Sequence, residues 1–263
     1  TALEMPGVSL SLLVVDDSRL ARLDAASAAP AWPGHGRVAE ALSLQPPSPA
    51  APPTVPILTP TKAGRIMRQS ALKAAEALAA AEAQLTELDA AAGDGDLGLS
   101  MSRAASAIRA MPASDWATPS TALKHLAAAL GRAIAGSSGP FYATALVRAA
   151  RGLPDDPGPR DWAAALDAAA DAIAELGGAR PGDRTMLDAL VPAATAFRAA
   201  LDAEKTPAEA WAEALDAARA GTAATAAMHP RVGRAAYLGD RALGHPDAGA
   251  TALTVWLTAI APT

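Results

Sequence analysis

Asp89, Asp94 and Asp96 stand within eight positions of one another, in the run Leu88-Asp89-Ala90-Ala91-Ala92-Gly93-Asp94-Gly95-Asp96-Leu97-Gly98. The alanines and glycines between them offer no counter-charge. Two carboxylates about 6 Å apart repel by roughly 3 kcal/mol at an effective dielectric of about 20, so a converging trio calls for a cation. Aspartate oxygens with no Cys or His nearby suit a hard ion, Mg²⁺ or Ca²⁺. Glycines at 93, 95 and 98 let a ligand come close to the main chain. A helix C-terminus followed by a solvated Gly-Asp turn would carry the same letters, and spacing alone leaves both readings open.

Three further stretches have chemistry to offer. Ala135-Gly136-Ser137-Ser138-Gly139-Pro140 puts small residues with free amides before a helix, which is either an anion-binding nest or a tight turn. Ala179 to Met186 precedes another helix, with Gly182 or Asp183 as its start signal. His229 to Asp247 is longer than a bundle connection requires, and it supplies Arg231, Arg234 and Arg241 for phosphate oxygens. All of these lie at helix ends, which an antiparallel bundle can gather at one rim.

The elements that must do the gathering are helices. Alanine and leucine dominate the 263 residues, aromatic residues make up 3%, and alternating Val/Ile runs are nearly absent after residue 60. Periodicity predicts helices over about 63–87, 98–111, 120–135, 139–151, 160–177, 184–203, 207–227 and 248–261. Ser120, Asp161 and Thr206 are N-cap candidates, Gly152 and Gly177-Gly178 are stops, and Pro192 should kink the sixth helix. Eight amphipathic helices with short connections imply an antiparallel bundle. Residues 7–15 read as a buried strand, and Asp16-Asp17-Ser18 caps a short helix through Leu23, which residues 31–34 close. That piece cannot bury itself and must join another sheet. A Pro/Ala-rich linker follows over 34–60.

A net charge of −5 with no basic stripe excludes a nucleic-acid surface. The absence of cysteine removes disulfides and thiol nucleophiles and fits a cytoplasmic location. No apolar run reaches membrane-spanning length.

Five motifs carry a resemblance. Gly93-Asp94-Gly95-Asp96-x-Gly, Gly136-Ser137-Ser138-Gly139-Pro140, Pro181-Gly182-Asp183-Arg184-Thr185-Met186-Leu187-Asp188, Gly233-Arg234-Ala235-Ala236-Tyr237-Leu238-Gly239 and Gly244-His245-Pro246-Asp247-Ala248-Gly249-Ala250-Thr251 resemble, in order, the nucleotide-binding L domain of dihydroxyacetone kinases. Residues 1–33 resemble the end of that family's substrate-binding K domain, and the K-to-L linker is that of its single-chain, ATP-dependent members.

The resemblance implies an all-α chain over 61–263, an eight-helix antiparallel barrel, preceded by a strand–helix remnant of an α/β domain. It implies two Mg²⁺ ions on Asp89, Asp94 and Asp96, and ATP or ADP as the nucleotide. Phosphates would lie against Leu97, Gly98, Ser100, Gly136, Ser137 and Ser138. Adenosine would lie against Gly182, Thr185, Met186, Asp247, Ala248 and Gly249, with Arg234 nearby. Transfer would go to a hydroxyl of a triose or short ketose held by a K domain, and a homodimer would form through that domain. The histidine that holds the ketone in the family has no counterpart among His35, His125, His229 and His245. An alternative is an L subunit that keeps ADP as a cofactor and receives phosphate from a phosphocarrier. A cyclising, FMN-forming activity is also known in eukaryotic members, and nothing in these residues selects it. Leu97 stands where the family carries His, Thr or Cys, Ser100 replaces Asn or Thr, and Ala248 replaces a common proline.

Overall fold

The computed structural model describes residues 13–29, 32–34 and 59–261, and the chain divides into two units, Thr1–Val55 and Pro56–Thr263. In the first, α1 (Asp17–Leu23) starts at Asp16, whose carboxylate accepts the Arg19 N–H at 2.8 Å. Strands β1 (Ser27–Ala29) and β2 (Trp32–Gly34) then pair antiparallel, with Ala28 opposite Pro33. This corrects the expectation that residues 31–34 close the helix. Asp24 already caps it, with its backbone N–H on the Leu20 carbonyl. Pro33 is tolerated because a two-stranded ribbon has only edges. Of the strand expected over 7–15, residues 7–12 lie outside the described residues, and Leu13, Val14 and Val15 are exposed without strand pairing.

The second unit is helical: α2 (Lys62–Ala80), α3 (Glu82–Ala92), α4 (Leu97–Arg109), α5 (Pro119–Ala133), α6 (Ser138–Ala150), α7 (Pro159–Gly177), α8 (Leu187–Asp202), α9 (Pro207–Ala224) and α10 (Ala248–Ala259). Short 3₁₀ turns cover Ala113–Trp116, Thr225–Ala227 and Arg234–Ala242. Helix α2 packs on α4, each helix from α4 to α9 packs on the next, and α10 touches both α9 and α2. Eight helices therefore close a ring among the described residues, the all-α barrel expected from the sequence, with α3 packed on α4 and α10 beside it.

Several boundaries differ from the periodicity. The helix expected over 63–87 breaks at Ala81 and resumes to Ala92, although Ala81-Glu82 is good helix sequence. Gly98 lies so close to α3 that a Cβ there would stand 2.2 Å from the Glu82 carbonyl and 2.1 Å from Thr86 Oγ1. Helices α5 and α7 begin at Thr118 and Gly158, a turn before Ser120 and Asp161, because Pro119 and Pro159 suit the first helical position. Asp161 instead accepts the Gly158 N–H at 2.8 Å from the third position. Helix α8 starts at Leu187, since Arg184 has a left-handed φ of 62°. It then runs through Pro192 unbroken.

Direction alternates around the ring, and bonds at both ends register it. At one rim Ser120 Oγ donates to the Ala150 carbonyl at 2.9 Å, and Arg160 pairs with Asp202 at 2.6 Å. The opposite rim collects the starts of α4, α6, α8 and α10, hence all of the motif loops. The interior is largely alanine and leucine around larger side chains such as Trp116, Met101 and Phe197.

Pro192 has no N–H to offer the Asp188 carbonyl one turn earlier. Gly221 of α9 lies over that oxygen, and a Cβ there would stand 1.9 Å from it. Gly221→Ala must push α9 off α8 and is expected to lower stability by about 2 kcal/mol or more, read from the urea midpoint. An unchanged midpoint would contradict this packing.

Candidate functional site

The acidic loop is built from a helix end and a helix start. Helix α3 delivers Asp89 in its last turn, Gly93 ends it, and Gly95 takes a left-handed φ of 76° that turns the chain into α4. The result brings one carboxylate oxygen from each of Asp89, Asp94 and Asp96 within 4.8 Å of the others. Asp89 is half-buried, while Asp94 and Asp96 face solvent. Oxygens on one Mg²⁺ stand about 3 to 4 Å apart, so a small contraction would bring these hard oxygen donors to the spacing a divalent ion requires. Asp89 also accepts the Leu97 N–H at 3.1 Å, which fixes its carboxylate.

That bond occupies the first amide of α4. The Leu97 amide is engaged by Asp89 rather than open to phosphate, and its side chain is buried in the core. Ser100 is likewise buried, with its N–H on the Asp96 carbonyl at 3.0 Å. Gly98 serves the close approach to α3. The nest fares better. Gly136 is exposed with a left-handed φ of 69°, and Ser137 is exposed. Ser138 opens α6, whose first turn has no side-chain cap. Free amides at that terminus face the rim.

The turn before α8 depends on a residue that sequence reasoning passed over. Asp188 is 3% exposed, and its carboxylate accepts the Gly182 N–H at 2.5 Å and the Thr185 N–H at 2.7 Å. It thereby holds Pro181 to Met186 in shape. Met186 then meets the start of α10, with its Cβ and Cε both 3.9 Å from where a Cβ on Gly249 would lie. Two of the stretches expected to face adenosine are thus in contact. Asp247 Oδ1 accepts the Ala250 N–H at 2.8 Å as N-cap of α10, and its own N–H goes to Thr225 Oγ1 at 2.7 Å. Ala248 is buried beneath it.

The long loop is not irregular throughout. Arg234 to Ala242 forms a 3₁₀ segment, interrupted at Gly239, that packs on α3. Arg231 lies 3.9 Å from the Asp183 carboxylate, and Arg241 is exposed. Of the histidines, His125 lies 3.3 Å from Asp115, His229 lies 3.4 Å from Asp240, His245 is exposed, and His35 is outside the described residues.

With this geometry in place, the comparisons define the class. Residues 91–262 match the DAK2 domain, and the chain belongs to that family. It is 37% identical to "Triokinase/FMN cyclase" of Mus musculus over 99% of this chain and 46% of that protein. It is 31% identical to "PEP-dependent dihydroxyacetone kinase, ADP-binding subunit DhaL" of Escherichia coli (strain K12), over 67% of this chain and 86% of that one. Among solved structures, it is similar to the dihydroxyacetone kinase from C. freundii in complex with AMP-PNP and Mg2+, with a TM-score of 0.61 and 26% identity over 95% of this chain and 42% of that chain. The chain thus spans about half the length of the triokinases it matches.

Burial pushes the Asp247 carboxyl up to about 6, against the pull of the Ala250 N–H and the Arg184 charge, with Asp188 adding to the rise. A raised carboxylate value means ionisation opposes folding. The contribution of Asp247 to stability is then greatest below about pH 4, falls as the pH climbs from about 4 to 6, and levels above. Asp247→Asn retains an oxygen for the Ala250 N–H and removes the ionisation. Its stability relative to the parent should rise by about 2 to 3 kcal/mol between pH 4 and 7, measured by urea unfolding. A constant difference across that range would contradict the burial.

Proposed function

We propose that the helical unit is the Mg-nucleotide domain of a dihydroxyacetone-type kinase. It would transfer the γ-phosphoryl group of ATP to a hydroxyl of a triose or short ketose held by a K-type domain. The observation that carries this is the convergence of Asp89, Asp94 and Asp96 on the rim that also carries the Met186–Gly249 contact. The names of the matched relatives and the AMP-PNP and Mg2+ of the structural neighbour support it.

Each part of the rim has a task in this reading. Asp89, Asp94 and Asp96 hold two Mg²⁺ ions, and the Leu97 amide keeps Asp89 aimed. Gly136, Ser137, Ser138 and the open start of α6 receive phosphate oxygens. Gly182, Thr185, Met186, Ala248 and Gly249 receive adenosine, with Asp247 capping the helix behind them; Arg234, on the long loop, is assigned to the same nucleotide. The ions, when bound, neutralise negative charge as it builds on the transferred phosphoryl group. The protein contributes position and electrostatics, because an in-line transfer needs little covalent chemistry from side chains.

Residues 1–33 read as the tail of a K-type domain and 34–60 as the linker to it, with a homodimer through the K domain and a cytoplasmic setting. No helix among the described residues is long and apolar enough to cross a membrane. The match to an ADP-binding DhaL subunit supports one other donor, a phosphocarrier with ADP as resident cofactor.

Asp94→Ala should weaken Mg-ADP binding at least tenfold by calorimetry, and unchanged affinity would remove the metal reading. Supplied with a K-type domain, the chain should move ³²P from γ-labelled ATP to dihydroxyacetone. Transfer from a phosphorylated carrier alone, with ADP retained through gel filtration, would select the other donor.

A further inference from the structure

Arg184 is the most deeply buried charged side chain at the rim, 2% exposed, and the mechanism above gives it no task. It sits between Asp183 and Thr185 at a left-handed φ of 62°, a conformation that a residue bearing a Cβ adopts only when its surroundings demand it. Among the described residues its guanidinium faces no carboxylate within ion-pair distance, and it bonds to carbonyls instead. Nε donates to the Thr225 carbonyl at 3.2 Å, and Nη2 donates to the carbonyls of Ala242 at 2.7 Å and His245 at 2.9 Å. Those three carbonyls lie 41, 58 and 61 residues further along the chain, at the two ends of the loop that carries Arg231 and Arg241. Gly244, within the span, returns its N–H to the Ala226 carbonyl at 2.8 Å, and the Arg231 N–H reaches the Asp183 carbonyl at 3.3 Å. Behind Arg184, Asp188 holds Thr185, and Met186 meets Gly249.

We infer that Arg184 is a positioning residue for the nucleotide site: its fork locks the long loop to the Gly182–Met186 turn, so that the two are held as one preassembled surface. A neutral side chain could fill the volume, but only a planar fork of charged donors spans several carbonyls at once. Lysine, a single ammonium on a flexible stem, cannot hold them all. Asp247, whose carboxyl feels the Arg184 charge, supplies the negative charge that makes its burial tolerable. Arg184 does not touch the nucleotide; it acts through the two segments that would.

The inference rests on the nucleotide reading of the rim, and one set of measurements separates their failures. Mg-ADP affinity and amide exchange over residues 229–245 are measured for the full chain, Arg184→Ala, Arg184→Lys and Leu123→Ala, a core variant on α5 whose lost thermal midpoint serves as the control. Arg184→Ala should weaken Mg-ADP at least tenfold and speed exchange of the Gly244 and Arg231 amides at least tenfold. Arg184→Lys, which keeps the charge and the fold, should fall between it and the parent. Leu123→Ala should lower the midpoint and leave Mg-ADP affinity within twofold. Should Arg184→Ala not fold, the lysine variant decides alone, by the same two readouts. Parent-like affinity in the folded Arg184 variants would overturn the positioning role while leaving the nucleotide reading intact. A parent chain that does not bind Mg-ADP at all would overturn both.

Discussion

How near the helices can lie decides what the rim can do. Alanine-lined faces allow neighbouring backbones to approach, and at Gly98 and Gly221 the approach admits no side chain. Gly98 lies against the Glu82 carbonyl and Thr86, and Gly221 lies over the Asp188 carbonyl. Each of these contacts sits beneath a working segment. The first turns α3 so that Asp89 faces the loop holding Asp94 and Asp96. The second seats the start of α8, and with it the carboxylate of Asp188. Interhelical distance is therefore a determinant of the chemistry as well as of stability.

Aspartate is put to three uses on this rim, distinguished by burial and by available amides. Asp94 and Asp96 face solvent in a cluster suited to a cation. Asp188 is buried and satisfied by two backbone N–H groups, which makes it a clamp for a turn. Asp247 caps a helix in an enclosed place, with a single strong amide contact and a neighbouring acid. The side chain is the same each time. Its surroundings decide whether it holds an ion, a backbone or a helix end.

Much of this was legible from spacing. The 3.6-residue periodicity located all eight ring helices, and the triplet Asp89, Asp94, Asp96 stood out because alanine and glycine surround it. Thr206 was read correctly as an N-cap because its capping box is local. The misses are those whose cause lies far along the chain. Gly98 lies against α3 at Glu82 and Thr86, and Leu97 uses its amide on Asp89. Arg184 looked like one letter of a motif, since its acceptors at Thr225, Ala242 and His245 are remote in sequence. Asp188 gave one weak signal: an acid in the first turn of a helix whose preceding residues are rich in glycine and proline.

The order in which the ring is closed bears on how the protein is made. Helix α10 is the element that touches both α2 and α9, so the two flanks of the barrel meet through it. A ribosome that has released residues up to about 240 has produced seven of the eight staves with no wall between the first and the last. Their apolar inner faces stay open to solvent and to chaperones until the final stave emerges. Helix pairs such as α5 and α6 can form during translation, but the rim, one of whose four helix starts belongs to that last stave, is assembled only afterwards.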